Sequence, residues 1–271
     1  MSRVEELTQA LRRNVAEHDS VLVAFSAGVD STLVLAVATE VLGDRALGVT
    51  GVSPSVAPAE IASAKELAEA LGARLRLAST NEMDDPSYVA NPTNRCFHCK
   101  TELYSVCERV AREEGVTTIL NGTNADDPGD HRPGLVAADN ARVRSPLLEC
   151  GLHKDDVRAV ARHLGVPNWD KPALACLASR LPHGTPVTIE RLRSVDSIEI
   201  ALREMGFQQV RARHFGDEVR LEVESERVDE LSDRLHEAVL QAAVSQAGFS
   251  HATVTPGGYR TGRLNELTGS V

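Results

Sequence analysis

Short apolar segments alternate with longer segments of helical periodicity over roughly the first 170 residues of the chain. The short segments predict strands at residues 21–25, 46–52, 74–78 and 117–121. The longer ones predict helices near residues 30–42, 58–71 and 101–114, and Ser2-Arg3-Val4-Glu5 is typical of a capping box that opens an earlier helix. This order predicts an α/β fold, with a parallel sheet that has helices on both faces. Ligands are then expected at the carboxyl ends of the strands.

A turn-rich segment, Pro182-His183-Gly184-Thr185-Pro186, interrupts this alternation. Beyond it the pattern predicts helices near 188–205 and 227–247 and strands at 209–214, 218–224 and 252–255. We therefore predict two domains. Residues 1–181 form the parallel α/β domain, and residues 182–271 form a small α+β domain for substrate binding or oligomerisation.

Composition narrows the class of protein. The 271 residues carry a net charge of −10 and 3% aromatic side chains, which argues against a broad nucleic-acid surface. No apolar segment is long enough to span a bilayer, and no signal peptide is evident, so no membrane partner and a cytoplasmic location are expected. Five cysteines in such a chain favour metal binding or catalysis over disulfides.

The first predicted strand ends in the loop Ser26-Ala27-Gly28-Val29-Asp30-Ser31-Thr32, which leads into a helix. Small residues let backbone N–H groups approach a phosphate, the helix N-terminus adds a favourable dipole, and the three hydroxyl side chains add donors. Without a lysine after the glycine, a Walker-type loop is not indicated. The segment resembles the SGGxDS loop of the PP-loop ATP pyrophosphatases, with Ala27 in place of the usual first glycine. An ordinary Ser/Gly turn is the alternative.

A second polar segment follows the strand predicted at 117–121. Gly122, Asn124 and Asp126 belong to Asn121-Gly122-Thr123-Asn124-Ala125-Asp126-Asp127, whose oxygen-bearing side chains suit a nucleotide and Mg²⁺. An Asx-rich turn is the alternative. Further on, the stretch from Ser145 to Pro172 resembles the PLxxxxKxxVRxxAxxLGxP segment of PP-loop enzymes such as NAD synthetases. Two such segments identify the chain as a member of the PP-loop superfamily, which uses ATP.

Three cysteines form a candidate metal site. Cys96 and Cys99 make a CxxC motif, which taken alone is redox-active, half of a zinc site or coincidental. If Cys176 joins them, three thiolates hold a [4Fe–4S] cluster and leave one iron free to carry sulfide. Cys107 and Cys150 are interpreted as structural thiols buried in the fold.

The strings NPxxRCxxCK, NGTNADD, WDKPALACLASR and VRARH (residues 210–214) resemble the LarE family of ATP-dependent sulfur transferases over nearly the whole chain. This family contributes to nickel-pincer nucleotide biosynthesis and hence to lactate racemase maturation. The resemblance implies adenylation of pyridinium-3,5-biscarboxylic acid mononucleotide by ATP, followed by conversion of the carboxylates to thiocarboxylates. It also implies a homo-oligomer, since family members form hexamers, and sulfide or cysteine as the source of sulfur.

The resemblance also implies roles for individual residues. Cys176 and Asp30 are the expected catalytic residues, and Lys100 is expected at the nucleotide phosphates. Ser179, Arg180, Arg211 and Arg213 are expected at the substrate phosphate, with Glu199 and Glu222 as acidic groups nearby. Taken without the family, Arg211 and Arg213 fit a solvated strand face.

The family has two ways of supplying sulfur: one cysteine surrenders its sulfur and becomes dehydroalanine, or three cysteines hold a [4Fe–4S] cluster that relays sulfide. Cys96, Cys99 and Cys176 match the second pattern, so we predict a cluster. Rival hypotheses are a tRNA-thiolating enzyme, an amide ligase of the NAD-synthetase kind, and a zinc-stapled nucleotide-binding module.

Overall fold

The computed structural model describes residues 1–127, 133–172 and 175–260. The chain divides into two compact units. The first comprises Met1–Asp85 and the described part of Asn94–Leu174, and the second comprises Pro86–Thr93 and the described part of Ala175–Val271.

The described strands are β1 (Val21–Ala24), β2 (Ala46–Val52), β3 (Arg74–Ser79), β4 (Thr118–Leu120), β5 (Arg211–Phe215), β6 (Glu218–Glu222) and β7 (His251–Val254). The described α-helices are α1 (Arg3–Ala16), α2 (Val29–Leu42), α3 (Pro58–Ala70), α4 (Pro86–Val89), α5 (Arg95–Glu114), α6 (Pro133–Asn140), α7 (Pro146–Glu149), α8 (Lys154–His163), α9 (Ile189–Glu204), α10 (Val228–Arg234) and α11 (Ala238–Gln246). None of these helices has both the length and the apolar character needed to cross a membrane.

The first unit contains a parallel sheet in the order β3-β2-β1-β4. Alternate residues of β1 point to opposite faces. Val21 and Val23 pack into a core that includes α2, whereas Leu22 packs with Val106 and Val110 of α5. Helices therefore cover both faces of the sheet, and the predicted α/β class is confirmed.

The second unit contains a three-stranded sheet in the order β5-β6-β7, antiparallel between β5 and β6 and parallel between β6 and β7. Helix α9 buries Val195, Ile198 and Leu202, and β5 buries Ala212. Nδ2 of the buried Asn91 donates to the carbonyls of Pro182 and Thr185, each at 2.8 Å. These bonds tie the 182–186 turn to the short segment 86–93, which explains why that segment belongs to this unit.

Two helix predictions need correction. The helix expected near 101–114 begins at Arg95, so Cys96 and Cys99 lie on its first turns. Residues 95–100 mix charged and apolar side chains, which is why the sequence indicates an irregular stretch where the structure has the first turns of this helix. The helix expected over 227–247 is two helices, interrupted after Arg234, whose guanidinium pairs with Glu237 at 2.7 Å.

The two thiols interpreted as structural differ in burial. Cys107 is fully buried, and burial raises its pKa to about 12. Cys150 is half-buried, and burial again raises its pKa.

Candidate functional site

The loop after β1 is braced by its own hydroxyl groups. Oγ of Ser31 donates to the carbonyl of Gly28 at 3.1 Å and accepts from N–H of Ser26 at 3.2 Å. Oγ1 of Thr32 donates to the same carbonyl at 2.8 Å. Gly28 is the N-cap of α2, and the first N–H groups of a helix have no partner within it. The loop and the start of α2 at the carboxyl edge of the sheet are therefore suited to an anion.

Ala27 is held in a strained conformation at this loop. It is fully buried with φ = 56°, a region that costs a non-glycine residue about 1–2 kcal/mol. Its carbonyl accepts from Nδ2 of Asn168 at 3.0 Å and from Nζ of Lys171 at 3.3 Å. Such strain persists only where surrounding contacts over-determine it, and these two bonds provide that support.

Asp30 brings three segments together at the same edge. One carboxylate oxygen accepts from Nζ of Lys154 at 2.5 Å, and the other accepts from Nδ2 of Asn124 at 3.1 Å. Asp30 lies in the first turn of α2, Asn124 follows β4, and Lys154 is the first residue of α8. Mg²⁺ is usually held by one or two carboxylates together with substrate phosphates. Asp30 therefore fits as a protein ligand for the Mg²⁺ of a bound nucleotide.

Gly122 is required by close packing against the loop. A Cβ at this position would lie 2.7 Å from N of Ser31 and 3.0 Å from the carbonyl carbon of Asp30. Real Cβ atoms do not approach backbone atoms this closely, so glycine alone lets the segment after β4 reach the start of α2.

Asp126 is turned toward α8. Its oxygens accept from N of Lys154 at 2.7 Å and contact Nδ1 of His153 at 2.6 Å. The hydrogen bond from His153, followed by that from Lys154, lowers the pKa of this exposed carboxyl. Asp126 thus fixes the start of the helix that carries Lys154.

Cys96 and Cys99 are one turn apart on α5, with Cys96 exposed and Cys99 half-buried. Residues three apart on a helix are neighbours on its surface, so both sulfur atoms can face one ligand. Lys100 follows them and is half-buried. Within residues 1–127, 133–172 and 175–260, no three His, Cys, Asp or Glu side chains are grouped so as to hold a metal ion.

In the second unit, Cys176 lies beside an arginine that organises its backbone. Cys176 is half-buried and precedes the 3-10 helix Leu177–Arg180. Nη1 of Arg180 donates to the carbonyls of Ala175 and Cys176, at 2.6 and 3.1 Å, and to Oγ of Ser179 at 3.1 Å. The guanidinium thereby holds the segment that presents the thiol.

The positive charge of Arg180 is neutralised by an ion pair with Glu199. The two side chains form a bidentate pair with distances of 2.7 and 2.9 Å, and their exposed fractions are 3% and 1%. Glu199 also accepts from Arg203 at 2.9 Å and from N of Ala212 at 3.1 Å. Burial opposes ionisation of Glu199, but the hydrogen bonds and charge of Arg180 hold its pKa below the usual value.

Arg211 and Arg213 on β5 are 3% and 7% exposed, which excludes a solvated strand face. Arg213 pairs with Glu222 at 3.0 Å and donates to the carbonyl of Ser179 at 2.9 Å. Burial, followed by the charge of Arg180, lowers the pKa of Arg211. An anion bound here would offset both effects, so the cluster suits a phosphate.

The structure thus joins Asp30 to Asn124, and Arg180 and Arg213 to Ser179. Glu199 pairs with Arg180 and Arg203, and Glu222 pairs with Arg213. The sequence reasoning did not single out Lys154, Asn168 or Lys171 as site residues. All three lie in the stretch between Ser145 and Pro172 that resembles the PP-loop superfamily, and that resemblance was the available signal.

The sequence of the chain is similar to those of several known enzymes. A family model described as asparagine synthase matches residues 4–128, which include the loop and the polar segment after β4. The parallel sheet, the braced loop and this match define the chain as a PP-loop adenylating enzyme.

The pyridinium-3,5-bisthiocarboxylic acid mononucleotide synthase of Lactiplantibacillus plantarum is 36% identical over 250 residues, covering 91% of this chain and 89% of that protein. The chain therefore belongs to the family of that synthase, the LarE family. An uncharacterised Synechocystis protein is 40% identical over 264 residues, covering 97% of this chain and 98% of that protein. A glutamine-hydrolysing GMP synthase chain of Methanopyrus kandleri is 28% identical over 214 residues, covering 72% of this chain and 67% of that one.

Proposed function

We propose that this chain is an ATP-dependent sulfur transferase. It adenylates the carboxylates of pyridinium-3,5-biscarboxylic acid mononucleotide and converts them to thiocarboxylates, with release of AMP and pyrophosphate. The observation that carries the proposal is the placement of Cys176 beside Arg180, with the buried Arg213 bonded to the neighbouring Ser179. A thiol next to a cluster suited to phosphate fits a phosphorylated substrate that accepts sulfur.

The first half-reaction uses the loop after β1. The substrate carboxylate attacks the α-phosphorus of ATP, the bond to the β-phosphate oxygen breaks, and pyrophosphate leaves. Such a step depends on positioning and charge stabilisation more than on covalent help from the protein. The N-terminus of α2 and the ammonium group of Lys154 would supply positive charge at the leaving pyrophosphate, and Asp30 would hold the Mg²⁺ that accompanies the nucleotide.

The second half-reaction replaces AMP by sulfur. A thiolate or sulfide attacks the acyl carbon, and the acyl–AMP bond breaks, so the product is a thiocarboxylate once the sulfur is released from its carrier. We propose that Cys96, Cys99 and Cys176 hold a [4Fe–4S] cluster, which stores the sulfide. The CxxC spacing on the first turns of α5 supports this assignment. In the sacrificial route, the thiolate of Cys176 itself displaces AMP and forms a thioester. Loss of the Cα proton of Cys176 to a base, with cleavage of its Cβ–S bond, then releases the thiocarboxylate and leaves dehydroalanine.

The test begins with iron, acid-labile sulfide and zinc content of anaerobically purified protein. Near four irons and four sulfides per chain, lost in Cys96→Ser while ATP binding remains, are expected for the cluster. Metal-free protein that loses the Cys176 sulfur after one turnover would replace the cluster by the sacrificial route. Stoichiometric zinc would favour a structural site.

Activity is then measured with ATP, Mg²⁺ and the pyridinium dicarboxylate mononucleotide, by following AMP and the mass of the thiocarboxylate. Asp30→Ala should abolish AMP release while leaving the fold intact, and Cys176→Ala should stop thiocarboxylate formation. Full activity of Cys176→Ala with an amine acceptor would favour an amide ligase, and steeply salt-dependent binding of tRNA would favour a tRNA-thiolating enzyme. We also propose a homo-oligomer, which light scattering checks.

A further inference from the structure

An open cavity of about 450 Å³ lies in the first unit, at the amino end of β4. Thr118, which lines it, is level with Val21, the first residue of β1. The loop formed by residues 26–32 lies beyond the other end of β1. Four strand residues, which span about 13 Å, therefore separate the cavity from that loop. The cavity is a second concave site, at the opposite edge of the sheet.

The charged side chains that line the cavity are mostly basic, although the chain carries a net charge of −10. Its basic lining residues come from three parts of the unit and are His18, Arg112, Arg142 and Arg144. Glu108 also lines it, and Arg144 is neutralised by a bidentate pair with Glu149. Among the residues that the structure describes, Arg112 and Arg142 have no hydrogen-bond or ion-pair partner for their guanidinium groups. Nε2 of His18 is buried and likewise without a hydrogen-bond partner there.

Arg142 occupies a position that the backbone reserves for glycine. It has φ = 54° at the end of α6, where N of Arg142 donates to the carbonyl of Asp139 and N of Val143 to that of Ala138. This is a Schellman ending, in which the left-handed residue is usually glycine. Five other described helices, α3, α7, α8, α9 and α11, end with a left-handed glycine at the equivalent position: Gly72, Gly151, Gly165, Gly206 and Gly248.

A long cationic side chain at such a position is strained, and strained residues concentrate at ligand sites. Glycine would stabilise the turn, so the turn itself does not call for arginine. What arginine adds is a cationic side chain to a cavity that Arg112 also lines.

We propose that this cavity binds a phosphate-bearing small molecule through the guanidinium groups of Arg112 and Arg142. Guanidinium groups present planar pairs of donors that match phosphate oxygens. The volume falls within the range of small-molecule sites, and Val116, Ile119 and Ala141 provide apolar wall for an organic portion. Free phosphate, pyrophosphate and a nucleoside monophosphate share the recognised group.

The experiment measures how fast phenylglyoxal modifies each arginine, by peptide mass spectrometry of the full chain. Inorganic phosphate is the first probe, and chloride at the same ionic strength is the reference. For a dissociation constant on the order of 1 mM, about 10 mM phosphate fills roughly nine-tenths of the sites. Modification of Arg112 and Arg142 should therefore slow about tenfold. Arg109, on the same helix as Arg112 but outside the cavity lining, should react at an unchanged rate.

Arg142→Gly removes one binding group and relieves the backbone strain, so the variant should fold at least as well as the parent. In this variant, phosphate should no longer protect Arg112, whereas in the matched control Arg109→Gln the protection of Arg112 should persist. Repeating the titration with pyrophosphate and with AMP identifies which phosphate-bearing molecule binds at the lowest concentration. Equal reaction rates in phosphate and chloride would overturn the proposal, as would protection of Arg112 that survives in Arg142→Gly.

Discussion

The buried pair between Arg180 and Glu199 allows a quantitative test of the second unit. Glu199→Gln removes the negative charge and leaves the guanidinium of Arg180, 3% exposed, without its counter-ion. Breaking a buried ion pair by removing one partner costs about 3–5 kcal/mol, because the remaining charge stays buried. With a urea dependence of about 2 kcal/mol per molar, the unfolding midpoint of this unit should fall by roughly 2 M.

The assay is urea unfolding, followed by circular dichroism and by hydrogen exchange of amides in α9 and β5, which report the second unit. Glu237→Gln is the matched control, since Glu237 pairs with Arg234 at a comparable distance but its side chain is 44% exposed. Screening by solvent should leave the midpoint of the control almost unchanged.

The effect of Glu199→Gln should also depend on pH. Burial acts to raise the folded-state pKa of Glu199, but Arg180 outweighs burial and holds this pKa below the unfolded value of about 4.3. The stability from ionised Glu199 is thus present above that pH and lost as the pH falls through the folded-state pKa. The gap between wild type and variant should narrow under acid conditions. A gap below about 1 kcal/mol at neutral pH would refute the reasoning that the pair is buried and energetically coupled.

Three further predictions concern the first unit. Lys154→Met removes the charged hydrogen bond to Asp30, a loss of about 1.5–3 kcal/mol, and should slow AMP release about 10- to 150-fold. Lys154→Arg should retain more activity, and equal rates for Lys154→Met and wild type would contradict this prediction. Gly122→Ala forces a Cβ against the loop after β1, so the variant should lose about 1–3 kcal/mol of unfolding free energy and bind ATP more weakly. An unchanged melting temperature would disprove the predicted loss of stability. Cys107, with its pKa raised to about 12, should react with iodoacetamide at pH 8 at least ~100-fold more slowly than the exposed Cys96, and similar rates by mass spectrometry would count against its burial.

The elements of the first unit were largely predictable because they are set locally. The two-residue period of a strand and the 3.6-residue period of a helix are visible in short windows of sequence. The loop from Ser26 to Thr32 was likewise recognisable, since its small residues and hydroxyls serve the turn that they form. The capping box at Ser2 and Glu5 is local in the same sense, and the structure confirms it.

The partners within the sites were not predictable in this way. Asp30 and Lys154 are 124 positions apart, and Arg180 and Glu199 are on different helices. Their pairing depends on how the elements pack. Strand alternation in β5 fits a solvated arginine face, whereas the tertiary structure buries Arg213 and supplies Glu222 as its partner.

Periodicity, turn chemistry and motifs are local properties of the chain, so the amino-acid sequence was sufficient to predict the class of fold, the turn after β1 and the family. Which charges are paired, which thiol is buried and the shared cavity of Arg112 and Arg142 are visible only in the folded chain. Burial and charge pairing depend on the whole surroundings of a side chain, and residues distant in sequence supply most of those surroundings.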